Sequence, residues 1–167
     1  MQKTQHTVAR GFTMFFAVLV SSLALAIGLA MYDLVVRELQ LSSTTEQSQY
    51  AIYAADTAVE CALYWDFHYN TINSIFATSS DDSAAASATG AICEGSDITT
   101  GRQLAVTPTS GITTTTLQIG AYYAILSVVK SQNISTGAIN TTIYSRGFNT
   151  NSTTSPNAVE RELQVSY

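Results

Sequence analysis

From Phe12 to Tyr32 the chain carries no charged side chain, no glycine falls between Gly28 and Gly90, and the first proline is Pro108. These features restrict the fold more than any others in the sequence. The uncharged run, about 21 residues, matches the ~20 apolar residues that a helix needs to cross a hydrocarbon core. No helix breaker follows it, so one helix is predicted from about Phe12 to about Asp66. At about 1.5 Å per residue, such a helix would be roughly 80 Å long. Lys3 and Arg10 precede the apolar run, whereas Asp33 and Glu38 offset Arg37 after it. The charge bias therefore places the N-terminus on the cytoplasmic side and the rest of the chain outside.

A secretory signal peptide is the competing interpretation, because "SLALA" ending at Ala26 presents small residues at the spacing a signal peptidase reads. Against it, the apolar run continues through Ile27, Leu29, Ala30 and Met31 into "DLVVRELQLSSTTEQSQYAIYAADTAVECALYWD" without a break. Within the run, Ala24 and Gly28 form a small-xxx-small pair that permits close helix approach, although small residues are frequent in membrane helices generally. Ser21 and Ser22 can bond back to helix carbonyls or across helices.

The second half of the predicted helix changes pattern. Ile52, Ala55, Val59, Ala62 and Leu63 recur at helical spacing, with Glu46, Asp56 and Glu60 elsewhere on its surface. Such a stripe has to be buried, and a sheet from the same chain is the simplest cover. The C-terminal third supplies one: "TTTTLQI", "AYYAILSVVKS", "NTTIYSRGFNT" and "AVERELQVSY" are rich in Thr, Val, Ile and Tyr and are separated by turn formers. In the last, Val159, Arg161, Leu163, Val165 and Tyr167 alternate with Glu160, Glu162, Gln164 and Ser166, which gives one mostly apolar face; Arg161 can snorkel to water. The predicted class is α+β, with the outer half of a long N-terminal helix packed on a C-terminal antiparallel meander over about 112–167.

Between them, 67–111 reads as loop, and "SSDDSAAASATG" as a mobile surface excursion of low complexity. Asp81, Asp82, Glu94 and Asp97 lack the ligand spacing, turn glycine and closing glutamate of a calcium loop and are read as solvated acids, so no metal site is expected. Cys61 and Cys93 fall in the part predicted to lie outside, where oxidising conditions favour a disulfide; two buried free thiols are the alternative. The sequons at Asn133, Asn140 and Asn151 are read as solvent-facing loops.

Catalysis and nucleic-acid binding have little support. His6 and His68 stand alone, with no Cys-His or Ser-His-Asp spacing, no phosphate loop, no HExxH and no CxxC, and no cofactor is implied. The formal net charge is −5 and the seven Lys and Arg residues are scattered, so no nucleic-acid partner is expected.

The segment "RGFTMFFAVLVSSLALAIGLAMYDLVV" and the uninterrupted helix after it resemble the type IV pilins and the related pseudopilins of type II secretion. Within the helix, "YAADTAVECALYWD" looks like the corresponding stretch of PilX-type minor pilins. The resemblance implies a leader, Met1 to Gly11, removed by a prepilin peptidase on the cytoplasmic face. Phe12 then becomes the methylated N-terminal residue, Thr13 suits the second mature position, and 12–35 forms the transmembrane and assembly half of the helix. The extracytoplasmic domain would be 36–167.

In major pilins the fifth mature position usually carries a glutamate, which here is Phe16. A carboxylate in an apolar bundle is costly unless paired, and Phe16 cannot make the pair. The resemblance therefore implies a minor or tip-proximal subunit, with the membrane, other pilin or pseudopilin subunits, the prepilin peptidase and the assembly machinery as partners. Such a protein would be single-pass in the bacterial cytoplasmic membrane before it joins a cell-surface filament. Two alternatives stay open: a signal-anchored protein with an external ligand- or partner-binding domain, which would keep its leader, and a secreted, soluble binding domain or enzyme cut near Ala26.

Overall fold

The breaker-free stretch folds as one helix, α1 (Arg10–His68, 59 residues), two residues longer at each end than the pattern suggested. The computed structural model describes residues 10–68, 74–151, 155 and 158–167. Most of the predicted leader, residues 1–9, lies outside the described residues. After α1 come a single-turn helix α2 (Ser83–Ala86) and a short hairpin of β1 (Ile92–Cys93) and β2 (Ser96–Asp97). Five longer strands follow: β3 (Gln103–Thr107), β4 (Ser110–Ile119), β5 (Tyr122–Gln132), β6 (Ile139–Phe148) and β7 (Glu160–Ser166).

The chain divides into two units, 1–44 and 45–167. In the first, the apolar side chains of α1 lie open, as Phe12 (72% exposed) and Leu29 (62%) illustrate. In the second, the outer half of α1 packs on an antiparallel sheet of order β3-β4-β5-β6-β7, so the architecture is α+β.

Residue period explains the packing. Alternate residues of the central strands are buried, among them Leu117 of β4, Leu126 and Val128 of β5 and Ile143 of β6, and they form one core with Ala58, Val59 and Ala62 of α1. The helix stripe differs from the expected one. Ile52 is exposed, and the buried positions are mainly alanines: Ala51, Ala54, Ala55, Ala58 and Ala62. The reason is proximity, because a Cβ on Gly147 of β6 would fall inside contact distance of the Ala51 carbonyl oxygen and the Ala55 nitrogen. Helix backbone and sheet backbone meet there, which leaves room only for the smallest side chains.

Two of the expectations for 67–111 fail. Its Gln103–Thr107 part is a fifth strand, joined to β4 through Pro108 and Thr109, with the Ser110 N–H bonded to Thr107 Oγ1 (3.0 Å). Proline's fixed φ suits such a turn. Residues 74–102 are not a loose excursion: Ile75, Phe76 and Ile98 are fully buried, and Ala85 and Ala88 are buried within "SSDDSAAASATG" itself. Arg102 holds the segment together, donating to the carbonyls of Ile75 (2.9 Å), Ala85 (2.7 Å), Ala86 (2.6 Å) and Ala88 (3.2 Å). Carbonyls at and beyond the end of a short helix thereby gain a charged donor.

Cys61 and Cys93 are bonded, with their Cα atoms 6.1 Å apart, inside the usual span for a disulfide. The bond ties the β1–β2 hairpin to α1. With a sequence separation of 32 residues, Cys93→Ser is expected to lower stability by roughly 3 kcal/mol. Urea unfolding of oxidised wild type and variant measures this, and coincident curves would show that the cross-link contributes nothing.

Candidate functional site

Two regions have surfaces or chemistry that the packing of a small domain does not require. The first is the N-terminal part of α1. It is the one helix among the described residues long and apolar enough to cross a membrane, and none of its most apolar stretch is covered by protein. Gly11 lies in its first turn. Phe12 and Phe16 are 72% and 58% exposed, Thr13 and Ala24 are also exposed, and nothing lies within 4 Å of where a Cβ on Gly28 would sit. Ser21 and Ser22 bond back to the carbonyls of Val18 (3.0 Å) and Leu19 (2.8 Å), which spares their hydroxyls the cost of standing unpaired in an apolar medium. Just beyond the uncharged run, Asp33 and Arg37 form an exposed pair one helical turn apart (3.2 Å). These residues share one helix, and no second element among the described residues covers them.

The second region, within 45–167, is a cleft of about 590 Å³ at the C-terminal end of α1. Its floor is built around Asp66. A carboxylate near a helix C-terminus meets the negative end of the dipole, so its burial requires strong partners. Lys130 of β5 supplies the charge, with Nζ 2.5 Å from Oδ1 and side-chain exposures of 8% for Lys130 and 4% for Asp66. The Ser74 hydroxyl donates to the same oxygen, and the Tyr167 hydroxyl donates to Oδ2 at 2.6 Å. Burial, with the Asp66 carboxylate beside it, pushes the Tyr167 phenol well above its ordinary value, so it remains a donor across the neutral range.

The main chain of Tyr167 is fixed too, exchanging hydrogen bonds with Thr141 in both directions (2.9 and 3.0 Å). Its ring therefore stands at a set angle beside Phe67, with centroids 5.2 Å apart.

Of the acids read as solvated, Asp81 and Glu94 are exposed, whereas Asp82 and Asp97 take structural roles. Asp82 caps α2, accepting from the Ala85 N–H (3.2 Å) and, through its second oxygen, from the Thr78 N–H (3.3 Å). Asp97 accepts from the Thr99 hydroxyl (2.5 Å) and N–H (2.8 Å), and these bonds lower its pKa. No group of three His, Cys, Asp or Glu placed to hold a metal occurs among the described residues. His68 stacks on Tyr64, with centroids 4.7 Å apart. Of the sequons, Asn133 lies exposed in the β5–β6 connection and Asn151 is exposed, but Asn140 belongs to strand β6. Arg161 reaches the helix, donating to Ser48 Oγ (2.8 Å).

Sequence reasoning missed the cleft, although one signal for it existed. Lys130 shares the buried parity of Ala124, Leu126 and Val128, and a lysine on that side of a strand needs a carboxylate partner.

Compared with known proteins, the chain matches no family model, no curated protein and no solved structure.

Proposed function

We propose that the chain is a non-enzymatic structural subunit of a type IV pilus or a type II secretion pseudopilus, held in the membrane and added to a filament through α1. The observation that carries this reading is the helix itself. One continuous α1 has an uncovered apolar N-terminal part and an alanine face that backs an antiparallel sheet. A surface so apolar is unstable in water and demands lipid or neighbouring helices. Membrane storage supplies the first and a filament core the second. Phe16 in place of an acid favours a minor or tip-proximal position, because it lacks the carboxylate that would meet a neighbour's terminal ammonium.

The mass of the N-terminal peptide, from protein purified out of its native membrane, tests this. The expected peptide begins at methylated Phe12. An intact Met1 would replace the proposal with a signal-anchored protein, and a start near Ile27 with a secreted one.

A further inference from the structure

A buried ion pair is weak evidence of stabilisation, since removing two charges from water costs several kcal/mol, by about as much as their attraction returns. Asp66 and Lys130 nonetheless sit buried beneath an open cleft of about 590 Å³, within the range of small-molecule sites.

The state of each charged group restricts what could enter. Lys130 balances the charge of Asp66, and both oxygens of Asp82 accept main-chain N–H groups, which leaves Asp81 as the exposed acid of the lining. The floor is thus neutral and internally bonded, which suits neither an anion nor a divalent cation. The walls are amphipathic: Phe67 and Tyr167 present ring surface, whereas Ser79, Asp81 and Gln132 supply donors and acceptors. Hydroxyl groups around a ring with an apolar C–H face are the complement of such a lining. A wholly apolar ligand would leave the polar groups unpaired. Tyr167 is held by its hydroxyl and its main chain, so its part of the wall is set before any ligand arrives.

We propose that this cleft binds a neutral sugar ring, stacked on Phe67 and Tyr167 and hydrogen-bonded by Asp81 and Gln132. The proposal does not depend on filament assembly.

Saturation-transfer NMR on the full chain in phospholipid nanodiscs, free of sugar-headed detergent, tests it. The probes are the methyl glycosides of glucose, galactose, mannose and N-acetylglucosamine. At least one is expected to receive transfer, and Asp81→Ala and Gln132→Ala are each expected to weaken its binding roughly tenfold, the loss of about 1.4 kcal/mol. Phe67→Ala, at a side chain 63% exposed, removes the stacking wall without opening the core and should weaken binding as well. Tyr144→Ala in β6, outside the cleft lining, should leave binding unchanged. Transfer to none of the four sugars, transfer that survives all three cleft substitutions, or an equal loss with Tyr144→Ala would overturn the proposal.

Discussion

Gly147→Val is expected to destabilise the 45–167 unit by at least about 3 kcal/mol, at the upper end for overpacking a core. The atoms in the way are the Ala51 carbonyl oxygen and the Ala55 nitrogen, both main chain. A side chain could rotate aside, whereas a helix backbone can only lift. Lifting it would separate Ala51, Ala54, Ala55 and Ala58 from the sheet. Tyr144→Phe in the same strand, at a half-buried position of opposite parity to the buried residues, should change stability by less than about 0.5 kcal/mol. Urea unfolding followed by near-ultraviolet circular dichroism would compare the two. Similar midpoints for both variants would mean that helix and sheet do not meet at Gly147.

The second large effect concerns Lys130. Its replacement by alanine leaves the Asp66 carboxylate buried with hydroxyl partners only, and the expected loss is about 3–5 kcal/mol. Changing both partners, as Asp66→Asn with Lys130→Met, removes the stranded charge and should recover much of that loss. Equilibrium denaturation of Asp66→Asn, Lys130→Met and the double variant closes the cycle. If Lys130→Ala alone costs under about 1 kcal/mol, the carboxylate is hydrated and the pair is not buried.

What the sequence disclosed follows the range of the interactions involved. The absence of breakers from Gly28 to Gly90 is a local property, and it located α1 to within two residues at each end. The four C-terminal strands were legible for the same reason, since β-branched runs and turn residues alternate along "TTTTLQI" and its successors. β3 was not, because "QLAVT" is short and is bounded by Ser, Thr and Pro clusters that read as loop; its pairing with β4 makes it a strand.

The helix stripe shows the same limit at finer scale. Ile52 is the more hydrophobic residue, yet Ala51 and Ala55 are buried, since distance to the sheet decides which side chains fit. The order within "SSDDSAAASATG" comes from Arg102, up to 17 residues away in sequence. The cleft joins Asp66, Asp81, Lys130 and Tyr167 from separate elements, and no local pattern announces such a meeting.

The sheet order β3-β4-β5-β6-β7 repeats the order of the chain. Each strand can therefore zip onto the one just made, and up to β6 the connections are short, so their closure costs little entropy. The long-range step is different in kind. The alanine face of α1 is synthesised first, but the glycine against which it seats arrives with β6, some 90 residues later. During that interval the helix is an apolar surface awaiting its cover. Directly upstream of it lies the stretch of α1 long and apolar enough to cross a membrane, so the part of the helix made first has no cover within the described residues at any stage.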